Sequence, residues 1–326
     1  MRIWQLTQLS SYNGYMELSI TLFIIGAIVL LVSTQVFIKL AERISVSLRL
    51  SPLIIGLTVV SIGTSLPELT VSTIAAIRGD VGLAMGNLIG SNIVNVFLVL
   101  GVGILVGKLR VGTTKTQRNI YMMSGIAGLF LLLYLLGLPH IIAGGILLAT
   151  ALMVTFDEYI RGVSGRTHED AKMFAKRKYG RFTIVDIGKL AAALFGVVVG
   201  GILTVTSVEQ LSVLLGFSMT ILGLSITAIT TSLPELLTTI FSEEDHEEKI
   251  TIGNLIGSNI YNLALIGGIV LLFSSWEIIT AYEIRMLTIA TLAFVVVVVA
   301  NKGKVIPKFT GLLLLFLFIL YIYFLR

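Results

Sequence analysis

Charge is what this sequence has least of. Only 13% of its 326 residues are Asp, Glu, Lys or Arg, against 56% hydrophobic residues, and the mean hydropathy is +0.99. Soluble domains carry about a quarter charged residues, so most of this chain belongs in lipid. Cysteine is absent, which excludes disulfides and thiolate metal sites. Histidine is nearly absent, and His140, His168 and His246 show no paired spacing, so zinc and copper are poorly served. The first fifteen residues lack the charged start, short apolar core and small-residue cleavage pattern of a signal peptide. They read as a polar N-terminal extension.

What is present is a series of apolar runs of spanning length. At roughly 20 residues per crossing, the chain accommodates about ten spans. They fall at about 17–41, 52–77, 81–107, 117–137, 140–160, 184–206, 217–241, 249–274, 284–300 and 306–325. The substantial polar segments are a basic one, Arg161 to Arg181, and an acidic one, Ser242 to Lys249. Lys39, Arg43 and Arg49 follow span one; Lys108, Arg110, Lys115 and Arg118 follow span three; Lys302, Lys304 and Lys308 follow span nine. Cytoplasmic loops retain positive charge, so the odd-numbered exits are expected in the cytoplasm and both termini outside a cell (plasma) membrane. The net charge of +5 then reflects topology rather than a nucleic acid partner. The basic segment is expected to touch anionic headgroups, and the acidic run reads as a solvated turn. The lipid bilayer is the one partner implied, and no obligate protein partner is evident.

A repeat organises the chain. Residues 64–69 read TSLPEL, as do 231–236; residues 86–93 read GNLIGSNI, as do 253–260. Both pairs keep one offset, 167 residues. The block recurs five spans later, and an odd number of crossings reverses direction, so the copies are expected to be antiparallel. The expected fold class is all-α integral membrane, with about ten transmembrane helices as two inverted five-helix repeats. Residues 1–160 form the first repeat, 161–183 a cytoplasmic basic linker, and 184–326 the second repeat. Inverted repeats place substrate at the bilayer midplane where broken helices meet.

The repeated blocks carry the chemistry. Pro67 and Pro234 sit in mid-span, where proline removes a helical hydrogen bond and splits the helix. Glu68 and Glu235 follow them and are the only acids deep within any span; Asp157, Glu158, Asp186 and Glu283 lie near span ends. A carboxylate at the bilayer centre costs several kcal/mol unless paired, protonated or bound to a cation, and no Lys, Arg or His lies at matching depth. Ser-Leu-Pro-Glu also has the spacing of a capping box, but a neutral Gln could fill that place. In the second block, Ser91 and Asn95 lie four apart on one helix face, as do Ser258 and Asn262. Gly86 and Gly90, with Gly253 and Gly257, suit close helix packing. Asn87 and Asn254 could be ligands, or clamps on freed carbonyls. The donors are all hard oxygens, and two carboxylates match one Ca2+, which takes about six to eight oxygens. No cofactor is implied; Ca2+ is the expected transported ion, with Na+ or H+ opposite it.

TSLPEL followed by GNLIGSN, present twice, resembles the calcium/cation antiporter superfamily, and most closely its prokaryotic sodium/calcium exchanger-like branch. The resemblance implies a transporter rather than an enzyme. It also implies a central diamond of ion sites and alternating access by sliding of the first and sixth helices. Glu68 and Glu235 then correspond to the main carboxylates. Thr64, Ser65, Thr231, Ser232, Ser91 and Ser258 correspond to Na+ and Ca2+ ligands, and Ser61 and Ala228 to backbone-carbonyl ligands. Two positions depart from the pattern. Asn262 stands where archaeal-type exchangers often carry Asp, and Thr230 stands where Gly is expected before Thr-Ser-Leu-Pro-Glu. With two acids rather than three, binding three Na+ would leave the site at +1 in a low dielectric. Na+/Ca2+ exchange is the expected activity, with H+/Ca2+ exchange as the alternative. A passive cation channel is less suited, because channels usually repeat ligand rings around a pore axis.

Overall fold

The computed structural model describes residues 2–47, 61–111, 114–164, 183–244, 248–274, 276, 280–301 and 304–325. Most of the basic linker, the middle of the acidic run and the expected start of span two lie outside the described residues. Eight helices among them are long and apolar enough to cross a membrane. Of the other two expected crossings, one is described only from Ser61 to Arg78, and one is the shorter helix Lys308–Tyr323.

In chain order the helices are α1 (Arg2–Ser47), α2 (Ser61–Thr64), α3 (Leu66–Arg78), α4 (Val81–Val94), α5 (Leu100–Val106), α6 (Thr114–Leu135) and α7 (His140–Ser164). They continue with α8 (Ile184–Leu215), α9 (Met219–Leu222), α10 (Ala228–Thr231), α11 (Leu233–Glu244), α12 (Glu248–Tyr261), α13 (Gly267–Phe273), α14 (Ala281–Ala300) and α15 (Lys308–Tyr323). Three five-residue π segments interrupt them, at Asn95–Val99, Gly223–Thr227 and Asn262–Ile266.

The long stretches running from α4 and from α12 form the centre. Their apolar windows are 78% and 83% buried, against 28% for α1. Around them the outer helices turn Ile28, Phe195, Leu292 and Phe316 outward, as lipid requires.

Two helices exceed expectation. The N-terminal extension is helical from Arg2, making α1 46 residues long. It contains no proline, and adding residues to an existing helix costs little compared with nucleating one. Helix α8 runs 32 residues, past the expected end at 206. Its polar residues stay helical because Thr204 Oγ1 and Ser207 Oγ donate to the carbonyls of Gly200 and Leu203, at 2.8 and 2.7 Å. Both helices are longer than the roughly 20 residues that span a bilayer.

Helices α1 and α8 pack along one another through small residues. A Cβ on Gly200 would lie 2.5 Å from Leu30 N, and one on Gly26 would lie 2.9 Å from Leu203 Cβ. Gly201 turns to Thr70 of the broken segment. Contacts between connections sort by the parity of the crossings. On one face, strand β1 (Arg110–Val111) pairs antiparallel with β2 (Lys304–Val305), and Arg43 meets Asp186 at 3.0 Å. On the other, Ser19 bonds Gln210, Arg78 bonds Glu209 and Trp276 bonds the Leu138 carbonyl.

Candidate cation-binding site

Each TSLPE block breaks its helix at the serine. Ser65 separates α2 from α3 at φ −83, ψ 7, and Ser232 separates α10 from α11 at φ −82, ψ 7. The prolines two residues on have no N–H to offer the carbonyls of Gly63 and Thr230. The break is one residue wide. Ser65 N still reaches the Ser61 carbonyl (3.2 Å) and Ser232 N the Ala228 carbonyl (3.1 Å). Those two carbonyls also accept from the hydroxyls of Thr64 (3.2 Å) and Thr231 (3.3 Å). The expected backbone ligands are thus engaged within their own turns.

Neither serine caps its own helix; each reaches across to the other repeat. Ser232 Oγ donates to Glu68 Oε1 at 3.0 Å, and Ser65 Oγ donates to Glu235 Oε1 at 3.3 Å. The capping-box reading of Ser-Leu-Pro-Glu therefore does not describe these side chains. The exchange repeats one shell out. Thr231 Oγ1 donates to Asn87 Oδ1 (3.0 Å) and lies 3.4 Å from Ser91 Oγ. Thr64 Oγ1 donates to Asn254 Oδ1 (3.2 Å) and lies 3.3 Å from Ser258 Oγ. Ser258 Oγ adds a bond to Glu235 Oε1 at 3.2 Å. Thr64, Ser65, Glu235 and Ser258 thus form one cluster, and Thr231, Ser232, Glu68 and Ser91 form its pseudo-symmetric counterpart.

The glycines make these clusters possible. A Cβ on Gly86 would sit 2.6 Å from the Thr220 carbonyl oxygen, and one on Gly90 would sit 2.8 Å from Ala228 Cβ. Close packing of α4 on the second broken helix is what brings Ser91 within reach of Thr231. Asn87 is a clamp: its Nδ2 donates to Ser72 Oγ (2.9 Å) and to the Glu68 carbonyl (3.4 Å). Symmetry lapses at Asn254, whose Nδ2 has no partner, with Thr239 in the place of Ser72.

Glu68 and Glu235 are 0% exposed. Each has one carboxylate oxygen hydrogen-bonded and the other, Oε2, without a partner. Asn95 and Asn262, also fully buried, open the π segments that follow α4 and α12, and no atom of either amide is bonded. Buried polar atoms normally find partners, and π turns recur at functional sites. The unpartnered carboxylate oxygens and amides occur at matching positions in both repeats. Other acids are held differently. Asp186 pairs with Arg43 and Glu283 closes a capping box with Thr280, while Asp157 lies 3.7 Å from Arg118. Glu158, near the end of α7, also has an unpartnered Oε2.

Sequence reasoning passed over Asn92 and Asn259. They lie beside Ser91 and Ser258 in the repeated block, and they line a small internal cavity with Met123 and Thr291. Asn92 Oδ1 and both amide atoms of Asn259 lack partners. Their recurrence in both copies of GNLIGSNI was the available signal.

Two fully buried carboxylates, each held by a serine hydroxyl from the other repeat, make this part of a predominantly helical membrane protein a candidate cation site. The family model described as sodium/calcium exchanger protein matches residues 18–157 and 186–326, and the chain belongs to that family of membrane ion antiporters. It is 32% identical over 316 residues to a putative antiporter, CaxA, of Alkalimonas amylolytica, covering 93% of this chain and 97% of the relative. It is 28% identical over 340 residues to the sodium/calcium exchanger MaX1 of Methanosarcina acetivorans, covering 92% and 96%. Among solved structures it matches the sodium-calcium exchanger NCX_Mj soaked with 2.5 mM Na+ and 10 mM Sr2+. That match has a TM-score of 0.67 at 28% identity and covers 95% of this chain and 100% of the other.

Proposed function

We propose that this protein exchanges Na+ for Ca2+ by alternating access, with Glu68 and Glu235 as the shared cation ligands in the membrane interior. The observation that carries this is the pair of fully buried carboxylates, each held by the other repeat's serine and each with one oxygen unpartnered. Two carboxylates and the side-chain oxygens of Asn95 and Asn262 would supply about six oxygens, within the range Ca2+ takes. Ser91, Ser258, Thr64 and Thr231 complete the lining, and Na+ uses the same oxygens in turn. The ten crossings form two inverted repeats in the plasma membrane, with both termini outside. Helices α1 and α8 slide together past the central helices to expose the site to either side.

Charge sets the stoichiometry. Two carboxylates balance one Ca2+ or two Na+, and a third Na+ would add an uncompensated charge at low dielectric. Exchange by the native chain is therefore electroneutral and insensitive to membrane potential. Asn262→Asp supplies a third acid and is expected to make Na+-driven Ca2+ flux potential-dependent, measured in proteoliposomes clamped with a K+ diffusion potential. Potential-independent flux in Asn262→Asp would show that position 262 does not set the ion count.

The missing acid also favours one second reading, H+/Ca2+ exchange, since protons compete for the same carboxylates. Ca2+-loaded proteoliposomes given first a Na+ gradient and then a pH gradient separate the two. Ca2+ release is expected under the Na+ gradient. Release under the pH gradient alone selects the proton reading, and single-channel conductance steps with no need for counterflow would mean a passive channel.

A further inference from the structure

Tyr321 lies on α15, a helix that carries none of the residues assigned to the cation site, and is 2% exposed. Its hydroxyl donates to the Leu224 carbonyl at 2.7 Å. Leu224 belongs to the π segment Gly223–Thr227, which leads directly into α10 and the Ser232 break. A π turn takes the chain out of the regular i→i−4 pattern, so a side-chain donor there holds a backbone that its own helix holds less firmly.

The same carbonyl lies in the seam with α4. A Cβ on Gly90 would meet Leu224 O and Leu224 Cα at 2.9 Å each, and Ala228 Cβ at 2.8 Å. Gly90 immediately precedes Ser91, whose hydroxyl faces Thr231 at 3.4 Å across this seam. Leu224 and Ala228 both meet Gly90 across this seam, and Thr231, three residues past Ala228, meets Ser91. One phenol thus anchors the backbone on the second repeat's side of the seam. The position 167 residues earlier, on α7, is Val154, which has no hydroxyl to do the same.

We infer that Tyr321 is a positioning residue for the second half of the cation site, acting through the Leu224 carbonyl to set where Thr231 and Glu235 stand. The inference rests on the Ca2+-exchange reading above. It gives the second half of the site an anchor on the last helix.

The test is Tyr321→Phe in the full chain, reconstituted in proteoliposomes, with Ca2+ and Sr2+ uptake kinetics measured beside a thermal melt. Interhelical hydrogen bonds in membranes contribute modestly, so KM for Ca2+ is expected to rise about threefold to tenfold. Vmax should stay within about twofold, and the preference between Ca2+ and Sr2+ should shift, because cations of different radius sense the same displaced ligands differently. A purely structural hydroxyl would lower the melting temperature and leave KM and the Ca2+/Sr2+ ratio where they were. That result, or no change in any of the three, overturns the inference while leaving the exchange reading standing. A native chain that takes up no Ca2+ refutes the exchange reading itself, and this inference with it.

Discussion

Glu68→Gln and Glu235→Gln are each expected to cut Ca2+ exchange by at least an order of magnitude while leaving a folded protein. Glutamine keeps the oxygen that accepts from Ser232 or Ser65, so the crossed bonds between repeats survive. What is removed is one of the two buried carboxylate charges proposed to meet the divalent cation. Losing one member of a buried charge pair costs about 2–5 kcal/mol, or a fall in kcat/KM of roughly 30-fold to several thousand-fold. The stability readout should move the other way. An ionised side chain at membrane depth is costly when no cation meets it. Each variant should therefore melt at or above the native temperature in Ca2+-free buffer and lose the rise that Ca2+ gives the native protein. A structural role for the carboxylates predicts the reverse: poor yield, a lower melting temperature and residual Ca2+ uptake.

Gly86→Ala is expected to be nearly as damaging, by a different route. Its new methyl would lie 2.6 Å from the Thr220 carbonyl oxygen, 3.0 Å from Leu224 N and 3.1 Å from Gly223 Cα. All three are backbone atoms, so no side chain can rotate aside. Helix α4 must move away from the second broken helix, which lengthens the contacts of Thr231 with Asn87 and Ser91, now 3.0 and 3.4 Å. Overpacking of this kind costs about 1–3 kcal/mol, and the site loses alignment as well. Lower melting temperature and a Ca2+ uptake rate reduced at least about tenfold are expected. Gly125→Ala is the control, since nothing lies within 4 Å of a Cβ there; it should match the native protein in both assays. Native behaviour by Gly86→Ala would mean that the glycine seam does not position the site.

Much of this site was legible because it is written twice. The fixed offset of 167 residues between identical blocks identified the mid-span prolines, the paired acids and the Ser/Asn faces. The structure places breaks at Ser65 and Ser232, and π turns at Asn95 and Asn262, at that same offset. What spacing along one helix cannot give is which helix it crosses. That each serine serves the other repeat's glutamate depends on how two broken helices meet, and no local signal encodes it. The same holds for Tyr321 and Leu224, joined across 97 residues.

How narrow each break is depends on local re-bonding too. Proline removes one donor, but neighbouring amides and threonine hydroxyls re-engage the carbonyls of Ser61 and Ala228. Span one falls at Gly14–Leu40, close to the expected 17–41, while its helix and α8 run past the expected spans. In α1 the polar lead simply continues the helix, and in α8 Thr204 and Ser207 satisfy themselves against their own backbone.

The most direct test is anomalous diffraction from crystals of the protein soaked in Sr2+, a Ca2+ surrogate with strong anomalous scattering. A single dominant peak is predicted among Glu68, Glu235, Asn95 and Asn262, at ligand distances near the about 2.3–2.6 Å of Ca2+–oxygen bonds. It should be absent from Glu68→Gln crystals soaked alike. A native crystal with no peak there at saturating Sr2+, or with its dominant peak elsewhere, would contradict the assignment of the two buried carboxylates as the cation's ligands.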